Sequence, residues 1–193
     1  MQRQRTLEEY RTIDLALLAF ILVVCEFITV KAANSWFPGQ PYTVSLAATV
    51  TAIVYMRWGY WGCFHAFLAG TAFCMASGAA LNSYIVYCCG NLLSVLAVPL
   101  LLKIGKEKAR TGSFGLIFPL LVLLLMQSGR ALIALLQGAS PASVIGFYTT
   151  DSISMLFTFT VIWIARRLDG IYEDQKHYLL RLSAKEKAEK GGS

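Results

Sequence analysis

Six positions in this chain carry groups able to hold a small polar molecule within an otherwise apolar sequence: Glu26, Tyr84, Tyr87, Gln127, Arg130 and Asp151. A guanidinium offers a planar fork of donors to an acceptor group. Carboxylates accept from ring nitrogens or hydroxyls, and tyrosine rings stack on other flat rings. Glu26, Arg130 and Asp151 each fall inside an apolar run, where an ionisable group is costly and turns toward the interior of a bundle. A helix rises 1.5 Å per residue, so Arg130 stands about 24 Å along its run, Asp151 about 12 Å into the next, and Glu26 about 20 Å along the first. The three share one depth. Gln127 lies about one turn below Arg130, and Asn82, Tyr84 and Tyr87 lie at or above it.

Two readings of this group compete. One is a structural ion pair, Arg130 with Asp151 or Glu26. The other is a pocket. Two acids, one base, two amides and two tyrosines exceed what one pair requires, which tips the balance toward a pocket. Trp36, Tyr42, Phe147 and Tyr148 flank it. The expected cavity is capped by the loop Lys31–Pro41, and its ligand is a small, polar, ring-containing molecule with an anionic or hydrogen-bond-accepting group for Arg130. His65 lies about 9 Å from the opposite end of its run and reads as a packing histidine. No second histidine falls in a span, so a histidine metal pair is unsupported. No Walker A, GxSxG, HExxH or GxGxxG motif occurs. The chain therefore carries no recognised nucleotide site, no cofactor is expected in it, and it reads as a protein other than an enzyme.

The elements that must position these groups are membrane spans. The 193 residues suit one domain, are 56% hydrophobic and carry only 15% charged residues, where soluble domains carry about 25%. A bilayer crossing takes about 20 apolar residues. Six runs approach that length: Ile13–Val30, Tyr42–Met56, Gly59–Gly78, Leu81–Leu102, Phe114–Gln137 and Ser143–Ala165. Lys31 lies beyond the first run and Arg130 within the fifth, while every other lysine and arginine falls on one side of the six. Basic residues mark the cytoplasmic side. The expectation is an all-α integral membrane protein, six transmembrane helices in one bundle, with both termini cytoplasmic. Residues 1–167 form the membrane domain and 168–193 a cytoplasmic amphipathic tail, with Leu168, Ile171, Tyr172, Tyr178, Leu179 and Leu182 on one stripe. Val30-Lys31-Ala32 resembles a signal-peptide cleavage site, but the apolar run before it is longer than such a peptide needs, and Glu26 interrupts it. Cys25, Cys63, Cys74, Cys88 and Cys89 all sit in apolar segments as small packing residues.

Gly62, Ala66 and Gly70 recur at every fourth residue, a stripe that allows close helix approach either within the bundle or against a separate membrane subunit. Between spans two and three stands Met56-Arg57-Trp58-Gly59-Tyr60-Trp61-Gly62. This basic, glycine-containing joint, in a six-span chain of this length, resembles the S component of an energy-coupling factor transporter. The resemblance implies a substrate-specificity subunit in a bacterial cell membrane that binds a vitamin-like micronutrient from outside. It implies as partners a transmembrane coupling subunit and two cytoplasmic ATPases, which use the ATP, with Gly62, Ala66 and Gly70 as the docking surface. The first span lacks the AxxxA common in that family, offering only Ala16 and Ala19. The competing expectation is a membrane scaffold or assembly protein whose buried charges are structural.

Overall fold

The computed structural model describes residues 6–36, 38 and 44–191, and every regular element among them is helical. In order these are α1 (Leu7–Trp36), α2 (Ala47–Trp58), α3 (Gly62–Ser77), α4 (Leu81–Tyr84), α5 (Ala97–Ile104), α6 (Lys106–Thr111), α7 (Phe114–Leu136), α8 (Pro141–Thr149), α9 (Ser152–Ala165) and α10 (Gln175–Gly191). α4 and α5 are the two ends of one helical run, Leu81–Ile104, whose middle widens into a π turn at Ile85–Cys89 and tightens into a 3-10 segment at Leu92–Leu96. Among the described residues, four runs are long and apolar enough to cross a membrane: Leu7–Trp36, Leu81–Ile104, Phe114–Leu136 and Pro141–Ala165. α2 and α3, with 12 and 16 residues, are shorter.

α2 is the hub. Every residue from Ala47 to Arg57 is buried. Its small and β-branched side chains let α3 and α7 approach closely, and Val54, Met56, Ala66, Phe118 and Met126 form the centre of the core. Gly62, Ala66 and Gly70 belong to this interior. A Cβ on Gly62 would collide with the Tyr55 ring, and one on Gly70 would lie 2.7 Å from the Tyr87 carbonyl carbon. Ala66 is fully buried, and its carbonyl accepts from Asn91 Nδ2 at 3.0 Å. The stripe expected to dock a partner is therefore occupied by α2 and by the Leu81–Ile104 run. His65 is buried too, with its Nε2 3.1 Å from the Leu15 carbonyl.

The basic end of the bundle is tied together by polar contacts. Arg57 grips Asp14 through Nε (2.8 Å) and Nη2 (2.6 Å), and Trp58 Nε1 donates to the same carboxylate at 2.6 Å. Arg57 Nη1 also donates to the carbonyls of Gly170 and Ile171. Gly59, at φ +62°, makes the turn that follows, in a region that disfavours side chains. The expected tail does not begin as a free helix. Residues 166–174 fold back on the bundle, Tyr172 is buried with its hydroxyl donating to the Gly115 carbonyl, and Glu173 pairs with Arg110 and Arg181. Burial pushes the Tyr172 hydroxyl pKa up. For Asp174, burial acts to raise the carboxyl, but the hydrogen bond and charge of Lys106, 2.5 Å away, outweigh it and hold the group below the ordinary carboxylate range.

Two expected boundaries shift. α1 runs on to Trp36, so Lys31–Trp36 is helical rather than the start of a capping loop. Residues 37 and 39–41 of that loop, and Tyr42, lie outside the described residues. The expected span Ser143–Ala165 is interrupted: α8 ends at Thr149, α9 begins at Ser152, and Asp151 occupies the break. The bundle keeps α8 and α9 in one membrane-length run despite that break.

Candidate functional site

The end of the bundle opposite the Arg57 clamp holds a second set of buried charges, Glu26, Arg130 and Asp151. Two glycines create the geometry. A Cβ on Gly129 would strike the Gly90 carbonyl oxygen, and one on Gly90 would lie 2.6 Å from the Arg130 nitrogen. α7 thus meets the Leu81–Ile104 run backbone to backbone, and the residues after each glycine face one another. Arg130 Nε donates to Asn91 Oδ1 at 2.8 Å. Its Nη1 donates to Asp151 Oδ2 at 3.2 Å, and Gln127 Nε2 donates to the same oxygen at 3.3 Å. The guanidinium carbon lies 4.9 Å from the centre of the Tyr87 ring, close enough for a cation–π attraction. Arg130 and Asp151 are 6% and 5% exposed, so their pair works in a medium of low dielectric, where stranding either partner is costly.

Glu26 reaches the same group from α1 and is fully buried. Its Oε2 accepts from the Leu46 backbone nitrogen at 3.1 Å, at the N-terminus of α2. Its Oε1 has no hydrogen-bond partner among the described residues, although the Ser45 hydroxyl lies beside the carboxylate. Ser45 and Thr49 in turn join α9: Ser45 N donates to Ser154 Oγ at 3.0 Å, and Thr49 Oγ1 to Thr158 Oγ1 at 3.0 Å. Glu26, Arg130 and Asp151 stand within electrostatic reach of each other. They present two carboxylates to one guanidinium.

Above this group lies a cavity of about 20 Å³ lined by Ser45, Phe73, Tyr87, Arg130, Phe147, Thr150 and Asp151. That is room for a single water. The nutrient-sized hollow expected from the sequence is filled by aromatic rings instead: Phe73 and Tyr87 lie 4.5 Å apart, centre to centre, and Phe147 meets Tyr87 edge-on at 6.1 Å. Larger hollows occur at the basic end. One, about 680 Å³, runs between the α5–α6 joint and α10, along Lys106, Lys108, Glu173, Asp174, His177 and Arg181. Its Glu173 and Asp174 are paired with arginine and lysine already, so size alone does not make it the site. The buried, incompletely matched charges are at the other end.

Of the six residues expected to line a pocket, Tyr87, Arg130 and Asp151 border the cavity. Gln127 supports Asp151 from below, and Glu26 stands behind Ser45. Tyr84 is half-buried and outside the cavity wall. Trp36 is exposed, while Tyr148 donates to Ser128 Oγ at 3.0 Å. Sequence reasoning missed Asn91, Ser45, Phe73 and Thr150. Asn91 left a signal: it is an amide in an apolar run, directly after a glycine, which matches Arg130 directly after Gly129. No family model matches the chain, and no curated protein or solved structure matches it either.

Proposed function

We propose that this protein is the substrate-binding membrane subunit of an energy-coupling factor type uptake transporter in a bacterial cell membrane. In this reading α2 and α3 are two shorter crossings beside the four long runs, giving six spans with both termini cytoplasmic. A transmembrane coupling subunit and two cytoplasmic ATPases are its partners, and the ATP is theirs to use. The observation that carries the reading is the convergence of Glu26, Asn91, Gln127, Arg130 and Asp151 beneath aromatic rings, at the end of the bundle away from the basic residues. Buried polar groups next to a cavity are the usual form of a small-molecule site. A ring-sized nutrient enters only if the rings of Tyr87 and Phe147 swing aside.

The cavity's small volume favours a second reading, a membrane scaffold or assembly protein in which the same charges are structural. Mass spectrometry of small molecules co-purifying with the detergent-extracted protein separates the two, together with isolation of associated subunits. A stoichiometric small molecule, or a complex with a coupling subunit and ATPases, supports the transport reading. A protein free of both overturns it and leaves the scaffold.

A further inference from the structure

We propose that Arg166 and Arg167, just beyond the end of α9, bind the phosphate of an anionic phospholipid in the leaflet at the basic end of the bundle. The inference stands apart from both readings above and requires only that the run Pro141–Ala165 crosses a membrane.

Residues 166–174 carry two arginines and three acids, and the fold matches only the acids. Asp174 pairs with Lys106 at 2.5 Å. Asp169 and Glu173 are shared between Arg110 and Arg181. Glu107, on α6, borders the hollow beside α10 instead. Among the described residues neither Arg166 nor Arg167 is in an ion pair. Two neighbouring positive charges are therefore left for something outside the chain. Arg166 is held in place by Nη2, which donates to the Thr111 carbonyl at 2.9 Å, and its other N–H donors remain. Arg167 is held by a ring: its guanidinium carbon lies over Trp163, 3.9 Å from the ring centre. That cation–π arrangement leaves the N–H groups on the guanidinium rim free to donate. Each fork suits a phosphate.

The place of these arginines along the run points to a lipid rather than a free anion. Leu156, Phe159, Trp163 and Ile164 are exposed on α9, so this face of a membrane-length run meets acyl chains. Trp163 stands in the last turn of α9 and Arg167 one turn further on, the residue types and order of a span emerging at headgroup level. A lipid seated here lays its chains along those apolar side chains and its phosphate against both guanidinium groups. An anionic leaflet attracts each basic residue near its surface by about 1 kcal/mol, and directed charged hydrogen bonds add to that. A zwitterionic lipid carries its own ammonium to the same place, which offsets the attraction.

The test uses the full chain in detergent, titrated with dioleoylphosphatidylglycerol or dioleoylphosphatidylcholine, which share acyl chains and phosphate but differ in net charge. Binding is read by native mass spectrometry and by the unfolding temperature. Phosphatidylglycerol is expected to bind saturably and raise the unfolding temperature, and phosphatidylcholine to bind at least about tenfold more weakly. Arg166→Ala with Arg167→Ala is expected to weaken phosphatidylglycerol at least about tenfold, the worth of one charged hydrogen bond. Lys185→Ala with Lys187→Ala removes the same charge from exposed positions on α10 and is expected to leave the affinity unchanged. If the double arginine variant fails to fold, Arg167→Ala, which gives up only the contact with Trp163, is expected to weaken phosphatidylglycerol at least about threefold. Equal affinity for the two lipids, undiminished affinity in the arginine variants, an equal loss in the lysine pair, or no saturable binding at all overturns the proposal. Displacement of phosphatidylglycerol by inorganic phosphate at about 10 mM overturns the lipid and leaves a free-anion site. None of these outcomes touches the reading of the Arg130 cavity.

Discussion

Arg130→Ala is the perturbation whose cost can be worked out most fully. The substitution removes a guanidinium that bonds Asn91 at 2.8 Å and Asp151 at 3.2 Å and that stacks over Tyr87. Asp151, 5% exposed, loses its counter-ion and keeps Gln127 at 3.3 Å. Breaking a buried pair by removing one partner costs about 3–5 kcal/mol, most of it the charge left behind. For a chain of this size that corresponds to a fall of roughly 10 °C in unfolding temperature. Removing the stranded acid as well, in Arg130→Ala with Asp151→Ala, is expected to restore a kilocalorie or more per mole, since coupled neighbours deviate from additivity by about 0.5–3 kcal/mol. The assay is thermal or denaturant unfolding of the detergent-solubilised protein for wild type, both single variants and the double. Additivity within about 0.5 kcal/mol would refute the reasoning, because it would mean that the two groups do not sense each other.

Other parts of the structure make their own predictions. Gly129→Ala places a methyl against the Gly90 carbonyl oxygen; overpacking of this kind is expected to cost about 1–3 kcal/mol, read as a lower unfolding midpoint, and an unchanged midpoint would count against the backbone contact. Ala66→Leu puts a large side chain at a fully buried position and is expected to destabilise the isolated protein by a similar amount, about 1–3 kcal/mol; a variant as stable as wild type would return the stripe to the surface. Arg57→Lys keeps the charge but loses the fork to Asp14 and the bonds to Gly170 and Ile171, with an expected loss of about 1.5–3 kcal/mol and faster hydrogen exchange in residues 166–174. The Lys106–Asp174 pair responds to acid: its folded-state carboxyl titrates below the unfolded one, so its contribution is present at neutral pH and fades as pH falls through that depressed value. Hydrogen-exchange protection at the start of α10, taken relative to the intrinsic rate at each pH, is expected to fall on acidification, and Asp174→Asn to remove most of that dependence; equal acid sensitivity in the variant would assign it to another group.

Much of this architecture was legible because two rules are linear. A constant rise per residue aligned Arg130 with Asp151, and hydropathy over about 20 residues found the long helices; for α7 the expected Phe114–Gln137 and the observed Phe114–Leu136 differ by one residue. What escaped were features carried by contact rather than by pattern. The break at Thr150–Asp151 interrupts an apolar run without a proline or glycine at the break itself, so nothing local announced it. Gly90 and Gly129 are far apart in sequence, and only their meeting explains why Asn91 reaches Arg130. The Gly62, Ala66 and Gly70 stripe was correctly a close-approach surface in kind, but its spacing is the same whether the approaching helix belongs to this chain or another. The cavity's size escaped for a volumetric reason: residue types name the walls of a pocket but not whether Phe73, Tyr87 and Phe147 stand apart or together.

The way α1 is fastened bears on how such a closed chamber would open. Of its 30 residues only Leu22, Glu26 and Val30 are buried. At one end Asp14 is held in the Arg57 and Trp58 clamp, and near the other Glu26 is held by the Leu46 backbone nitrogen and the Ser45 hydroxyl. The helix is thus mounted like a lever, pinned at a fulcrum and latched at its far arm. Displacing α7 would prise apart the Gly90–Gly129 crossing, whereas α1 meets the bundle through side chains, among them Leu22 in the core. Any opening of the Arg130 chamber by movement of α1 would therefore have to break the contacts of Glu26 with Ser45 and Leu46.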